Sequence, residues 1–253
     1  MQKLYNAVIL GGGKTAWLKA EAGTDIRCLA KINNKRILDY LVEALQATGR
    51  IKEIMVAVPK EALPIDNLPA GVQVCSADVD MPSTAVKAAE LFCKNERVFF
   101  ICDDIPLITP QAIEDFLEQC EACLDKQVFY PAIPKEICLE AFPNAKRTYG
   151  KLADGAFTGG NMMVIDYAVL QKGLAASREI FAKRKNPLAL CSWLGFSFII
   201  KLLLGMLDTA AVEKRTSELL DMPCKVIISR YAEVGMDADK PEDWQLMKKY
   251  LTK

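Results

Sequence analysis

The stretch Tyr5-Asn-Ala-Val-Ile-Leu-Gly-Gly-Gly13 decides how the rest of the chain is read. Its apolar run from Ala7 to Leu10 shows no polar alternation. It therefore predicts a strand buried on both faces, and such a strand belongs to a sheet covered by helices. The glycines at its end bring backbone amides close to a ligand with no side chain in the way, which suits a phosphate. A plain tight turn explains the run as well. Gly13-Lys14-Thr15 falls short of a Walker A loop, because the first glycine of that loop would fall at Val8, inside the strand. Gly11-x-Gly13-x-x-Ala16 fits the loose dinucleotide fingerprint. In a dinucleotide fold, however, the helix starts at once, whereas here residues 14–35 form a long polar loop.

Outward from that strand the periods alternate. Ile37, Leu38, Leu41, Val42 and Leu45 recur at helical spacing up to Gly49. Apolar runs at 54–58 and 72–75 read as strands. Pro82-Ser83-Thr84 opens a helix running to about Lys94, with Ser83 or Thr84 as its cap. The most apolar strand, 98–102, leads straight into Asp103-Asp104-Ile105-Pro106, and Thr109-Pro110 opens the next helix. Strand and helix in alternation predict a three-layer α/β/α domain with a mainly parallel, mixed central sheet and ligands at the carboxyl ends of its strands. The second half is less regular: strands at 128–132, 162–165 and 225–229, several helices between 169 and 220, and a last helix at 241–251. No repeat or linker divides the chain, so residues 1–253 read as a single domain.

Composition narrows the chemistry. The 32 basic and 32 acidic residues cancel, so no long-range field draws nucleic acid or an anionic membrane. There is no histidine, which excludes Ser-His-Asp and Cys-His nucleophiles, a histidine base and histidine metal sites. What remains is carboxylates, Lys, Arg, backbone amides and a hard, oxygen-liganded cation, for which Mg²⁺ fits best. The nine cysteines follow no disulfide framework and read as reduced thiols of a cytoplasmic protein. Cys120 and Cys123 form a lone CxxC that helical spacing puts on one amphipathic helix. The amino terminus has no secretory-leader pattern. Residues 187–207 are apolar and about long enough to span a bilayer, but Lys201 sits well inside them. A buried helix pair or a homo-oligomer contact is the reading preferred over stable membrane insertion.

The strand and glycines of 7–13, the segment from Arg27 to Tyr40, and Cys102-Asp-Asp-Ile-Pro-Leu-Ile-Thr109 stand in a characteristic order. So do Thr158-Gly-Gly-Asn-Met-Met-Val-Ile-Asp166 and Gly235-Met-Asp-Ala-Asp-Lys-Pro-Glu-Asp-Trp244. Together they resemble nucleotidyltransferases of the glycosyltransferase-A (GT-A) type fold, and most closely the MobA-like NTP transferases. The resemblance covers almost the whole chain. It implies transfer of a nucleotidyl group from an NTP to a small phosphorylated acceptor, with pyrophosphate released and Mg²⁺ as cofactor.

The same resemblance implies roles. Leu10, Gly11, Gly12, Gly13 and Lys14 would hold phosphate, and Asp104, which aligns with the Asp of D-x-P, would hold the metal. Asp103 next to it would point the opposite way if the segment is extended. Asp237, with Asp239, resembles the second carboxylate of the metal site. Arg27 falls where the family has its lysine, and Lys31 competes for that basic role. Ser83 and Thr84 stand where relatives read the base. Gly160 and Asn161 would face the acceptor, and Arg147 would meet its phosphate. The chain departs from the family at Lys14-Thr-Ala-Trp-Leu-Lys19, which lacks the usual triphosphate-gripping Arg, and at Asn34 and Arg36, which replace Gly and Pro. That departure keeps two other functions open: a nucleotide-binding protein with little or no transferase activity, and a nucleotide-sugar glycosyltransferase using Asp103-Asp104.

Overall fold

A computed structural model describes residues 3–92, 96–183 and 195–252. Strand β1 (Tyr5–Leu10) is buried along its whole length and lies between β4 (Ile51–Val58) and β6 (Arg97–Cys102), parallel to both. β5 (Val72–Ser76) extends the sheet beyond β4, also in parallel. On the other side of β6, β10 (Met162–Asp166) runs antiparallel. It leads to β7 (Val128–Pro134), which pairs with the parallel β11 (Cys224–Ile228) and with β9 (Gly155–Gly159). β8 (Gly150–Leu152) completes the edge as a hairpin with β9. The predicted mixed, mainly parallel sheet is what forms.

Period-two alternation along β1 builds the layers. Tyr5, Ala7 and Ile9 share one core with α2 (Ile37–Ala47) and α4 (Pro110–Glu121). Val8 and Leu10 share another with α3 (Met81–Phe92) and α6 (Tyr167–Lys183). Ile37, Leu38, Leu41, Val42 and Leu45 form the buried stripe of α2, and the chain turns out of it at Gly49, whose φ of 63° favours glycine. In α4, Thr109 Oγ1 accepts from the Ala112 amide at 3.2 Å with Pro110 in the first turn, the expected start.

Several expectations need correction. The loop at 14–35 is structured: α1 (Leu18–Ala22), a 3₁₀ turn (Arg27–Leu29) and β2 (Lys31–Ile32), which pairs with β3 (Lys35–Arg36). α3 is capped by Asp80, whose carboxylate accepts from the Ser83 amide at 2.7 Å, because a carboxylate one turn earlier reaches the first free amides better than a hydroxyl inside the helix. Cys123 lies beyond the end of α4, and only Cys120 is on it. A short helix, α5 (Lys135–Ala141), and the β8–β9 hairpin were not foreseen.

Of the stretch 187–207, residues 187–194 lie outside the described residues. Helix α7 (Phe196–Leu203) has no buried residue and leaves Phe196 and Leu203 exposed, so its described part is not half of a buried pair. Ser197 and Lys201, one turn apart, give this short helix a polar stripe, and its apolar side chains occupy the rest of its surface. No helix among the described residues is long and apolar enough to cross a membrane. Helix α8 (Thr209–Leu220) leads to β11, and α9 (Pro241–Leu251) closes the chain.

Candidate active site

The strand order β5-β4-β1-β6 contains the kind of switch point at which open α/β sheets bind their ligands. The chain leaves β1 toward β4 on one side and returns to β6 on the other, so a crevice opens beyond the carboxyl ends of β1 and β6. Gly11–Gly13 ends one of those strands and Asp103-Asp104 ends the other.

Close neighbours leave little room for a side chain at Gly11 and Gly13. A Cβ on Gly11 would lie 3.0 Å from the Ala57 carbonyl oxygen and 3.2 Å from Cys28 Sγ. A Cβ on Gly13 would run into the Arg27 guanidinium and lie 2.9 Å from Asp103 Oδ1. Beside Gly12 there is room, the nearest atom being Ala77 Cβ at 3.8 Å. The loop is thus held from behind at Gly11 and Gly13 and open at Gly12. We expect Gly13→Ala to cost about 2 kcal/mol of stability by overpacking, read as a lower urea midpoint. An unchanged midpoint would show that Arg27 moves aside freely.

Arg27 is the centre of the site. The 3₁₀ turn that carries it is tied to the glycine loop by its own amide, which donates to the Gly13 carbonyl at 3.0 Å. Its Nε donates to Asp103 Oδ1 at 3.2 Å and its Nη1 to Asp239 Oδ1 at 2.6 Å. Nη1 also stands 3.5 Å from Asp104 Oδ2. Both carboxylates of the Asp pair therefore face one guanidinium, contrary to the expectation that they diverge. The reason is local: β6 ends at Cys102, and Asp103-Asp104 form a turn rather than continuing the extended strand. Burial works against the charge on Arg27, but Asp103, Asp104 and Asp239 outweigh it and hold the guanidinium more firmly protonated.

The carboxylates carry the complementary perturbation. Burial raises Asp103 above the ordinary carboxylate range, against the pull of Arg27 and of the Gly13 amide that donates to it. Asp104 is pushed up to about 7, by burial first and then by Asp103, Asp237 and Asp239, while Arg27 opposes. Asp103 Oδ2 and Asp104 Oδ1 are buried without a hydrogen-bond partner. The Ala238 amide donates to the Asp104 carbonyl at 2.8 Å and fixes the segment 237–239 beside it.

Asp237 and Asp239 are each turned to an arginine. Arg147, whose side chain is 9% exposed, grips Asp237 through both terminal nitrogens, Nη2 at 3.0 Å from Oδ2. Asp239 holds Arg27. Among the described residues no three or more Asp, Glu, Cys or His side chains are grouped to hold a metal ion. Of the expected set of Asp104, Asp237 and Asp239, two members are engaged by arginines, Asp237 by Arg147 and Asp239 by Arg27. Asn161 opens β10; its carbonyl accepts from the Cys102 amide at 2.8 Å, and its Nδ2 is buried without a partner. Gly160 before it has no room for a side chain, since a Cβ would lie 2.6 Å from Val234 Cγ1.

Other candidates stand apart. Lys14 pairs with Glu61 on the surface and Lys31 is exposed in β2; neither has a hydrogen bond or ion pair to the carboxylates among the described contacts. Thr84 Oγ1 donates to the Asp80 carbonyl at 2.8 Å, and Ser83 Oγ accepts from Arg178 Nη2 at 2.6 Å, so both hydroxyls serve the start of α3. Arg36, in place of the family's proline, binds Asp39 and the carbonyls of Asp66 and Asn67, which pins two loops together. Trp17 was missed altogether. Its indole donates to the Asp239 carbonyl at 3.2 Å and meets buried Trp244 edge-on at 6.2 Å. Nothing local marks it, since its partner lies at the far end of the chain.

Residues 7–186 match the model of the MobA-like NTP transferase domain. A hypothetical transferase from Thermus thermophilus is 32% identical and superposes with a TM-score of 0.82, covering 96% of this chain and 99% of its own. The 2-C-methyl-D-erythritol 4-phosphate cytidylyltransferase of the same organism shares the fold at 13% identity and a TM-score of 0.60, with 99% and 100% covered. A CMP:2-keto-3-deoxy-manno-octonic acid synthetase complexed with CTP does so at 11% and 0.59, with 99% of each covered. No curated protein sequence matches the chain significantly.

Proposed function

We propose a reaction from one premise: the chain belongs to the MobA-like NTP transferase family. It is a nucleotidyltransferase, and in this reading it moves a nucleotidyl group from an NTP to a small phosphorylated acceptor with Mg²⁺ as cofactor. An acceptor oxygen attacks the α-phosphorus, the bond from that phosphorus to the bridging oxygen breaks, and pyrophosphate leaves with its electrons. No protein nucleophile is required, which suits a chain without histidine.

The observation that carries the reading is the meeting of the Gly11–Gly13 loop with Arg27, Asp103 and Asp104 at one crevice. The glycine amides would cradle phosphates and Arg27 would meet the charge that grows on the leaving group. Arg147 and Asn161, on the β10 side, would orient the acceptor. The neighbouring fold that acts on a 4-phosphate supports a phosphate-bearing acceptor. A reduced cytosolic location suits the cysteines described as free.

The residues fit a hard divalent cation. Four carboxylates (Asp103, Asp104, Asp237 and Asp239) face two guanidiniums (Arg27 and Arg147), and two buried carboxylate oxygens have no partner. Asp104 would hold Mg²⁺, with Asp103 or Asp239 beside it. When bound, the cation would neutralise charge on the phosphates.

Pyrophosphate release from ATP, GTP, CTP and UTP in turn, with pooled sugar and polyol phosphates, tests the reaction. Turnover only with unphosphorylated acceptors would remove the acceptor class, and nucleotide binding without release would leave a binding protein. The site also makes stability depend on pH. Asp104 rises from 3.8 to about 7, so between those values the folded state keeps a proton that the unfolded chain has released. The associated stability is complete below about pH 4 and is lost as pH rises through about 7. The ligand-free protein should melt lower at pH 8 than at pH 6, and the melting-point gain from Mg²⁺ plus NTP should be larger at pH 8. A gain that shrinks at pH 8 would remove Asp104 as the ligand.

A further inference from the structure

Arg27 stands where two different ligands would meet. Its guanidinium packs on Gly13, at the phosphate-facing loop, and bonds to Asp103 and Asp239 with Asp104 at 3.5 Å. Its side chain is 13% exposed, so it fills the space among those carboxylates. Oxygens that suit a divalent ion, Asp103 Oδ2 and Asp104 Oδ1, are buried beside it and lack partners.

A guanidinium and a divalent cation compete for the same carboxylates, because each is attracted by their charge and repels the other. The contact with Gly13 offers Arg27 an alternative. A triphosphate seated on the glycine loop would present oxygens within reach of a short rotation, and guanidinium pairs with phosphate as readily as with carboxylate. Phosphate can thus draw Arg27 off the carboxylates in the same event that brings a cation to them.

We infer that Arg27 is a placeholder cation: the site excludes a free divalent metal and accepts it only together with a nucleotide's phosphates, as the chelate. This rests on the reading of Asp103 and Asp104 as the cation site. It adds to that reading an order of binding, set by Arg27.

Mn²⁺ titration followed by the electron paramagnetic resonance of the free ion tests it without turnover. The wild type should bind Mn²⁺ alone weakly. Arg27→Gln, which removes the charge but keeps a planar polar group, should bind Mn²⁺ alone at least about tenfold more tightly. Arg27→Lys keeps the charge and should remain weak, and Arg27→Gln combined with Asp104→Asn should lose the gain. With the α,β-methylene analogues of the four NTPs tried in turn, the wild type should take up Mn²⁺ and the advantage of Arg27→Gln should vanish or reverse. Equal or weaker Mn²⁺ binding by Arg27→Gln overturns the inference, as does equally tight binding by Arg27→Lys. Far-ultraviolet circular dichroism checks that each variant is folded; should Arg27→Gln not fold, Arg27→Met takes its place under the same criteria. The outcome is independent of the reaction, because a chain that released no pyrophosphate from any NTP would still show or lack the Mn²⁺ gain.

Discussion

Asp104→Asn should lower turnover by about a thousandfold, which corresponds to roughly 4 kcal/mol of transition-state stabilisation, and should leave the ligand-free protein folded. The carboxylate is buried and its Oδ1 has no partner; Arg27, 3.5 Å from its Oδ2, keeps Asp103 and Asp239 when that charge is lost. Asn keeps the volume and removes the anion that a cation would need. The apo variant should also melt no lower than wild type at pH 8, because ionising Asp104 in that surrounding is what the folded state resists. Kinetics with saturating NTP and melting curves with and without Mg²⁺ read both halves. If the Mg²⁺-dependent melting shift survives in the variant, Asp104 is not the ligand. A collapse of the apo protein would instead mean that its side chain is structural.

How far the sequence reveals this site depends on how local each signal is. β1, α2 and β6 are legible because burial periodicity is written into consecutive residues: Ala7 to Leu10, Ile37 to Leu45, Val98 to Cys102. The glycine loop is legible for the same reason. The β8–β9 hairpin was missed although Asp154-Gly155 is a known hairpin signal, because the flanking strands are short and largely exposed. The roles of Asp103 and Asp237 were out of reach for a different reason. Whether Asp103 sides with Asp104 turns on where β6 stops, a boundary that sequence fixes poorly. Whether Asp237 binds a cation turns on Arg147, which stands 90 residues away. Arg27 was picked out by resemblance alone, and its partner Asp239 lies 212 residues on. Non-local charge pairing leaves no period in the sequence, so a ring of carboxylates can be listed by composition but not arranged by it.

Arg27→Ala should depress turnover by about a hundredfold, near 3 kcal/mol, with a smaller effect on nucleotide affinity. The asymmetry follows from when the charge is needed: pyrophosphate gains charge as it leaves, so a cation beside it is worth more in the transition state than in the bound substrate. Arg27→Lys, which restores the residue the family carries there, should keep much of the activity. Lys31→Ala and Lys35→Ala should change little, since Lys31 is exposed and Lys35 is engaged with Glu43 and the Tyr40 ring. If Lys31→Ala is the dead variant and Arg27→Ala works normally, the register is wrong by one basic residue. The placeholder role sharpens the test further. Loss of the Arg27 charge should make free Mn²⁺ bind better while the reaction runs worse, and the gain in Mn²⁺ binding should vanish once the nucleotide analogue is bound. A variant that lost both metal binding and turnover would point to simple collapse of the carboxylate ring.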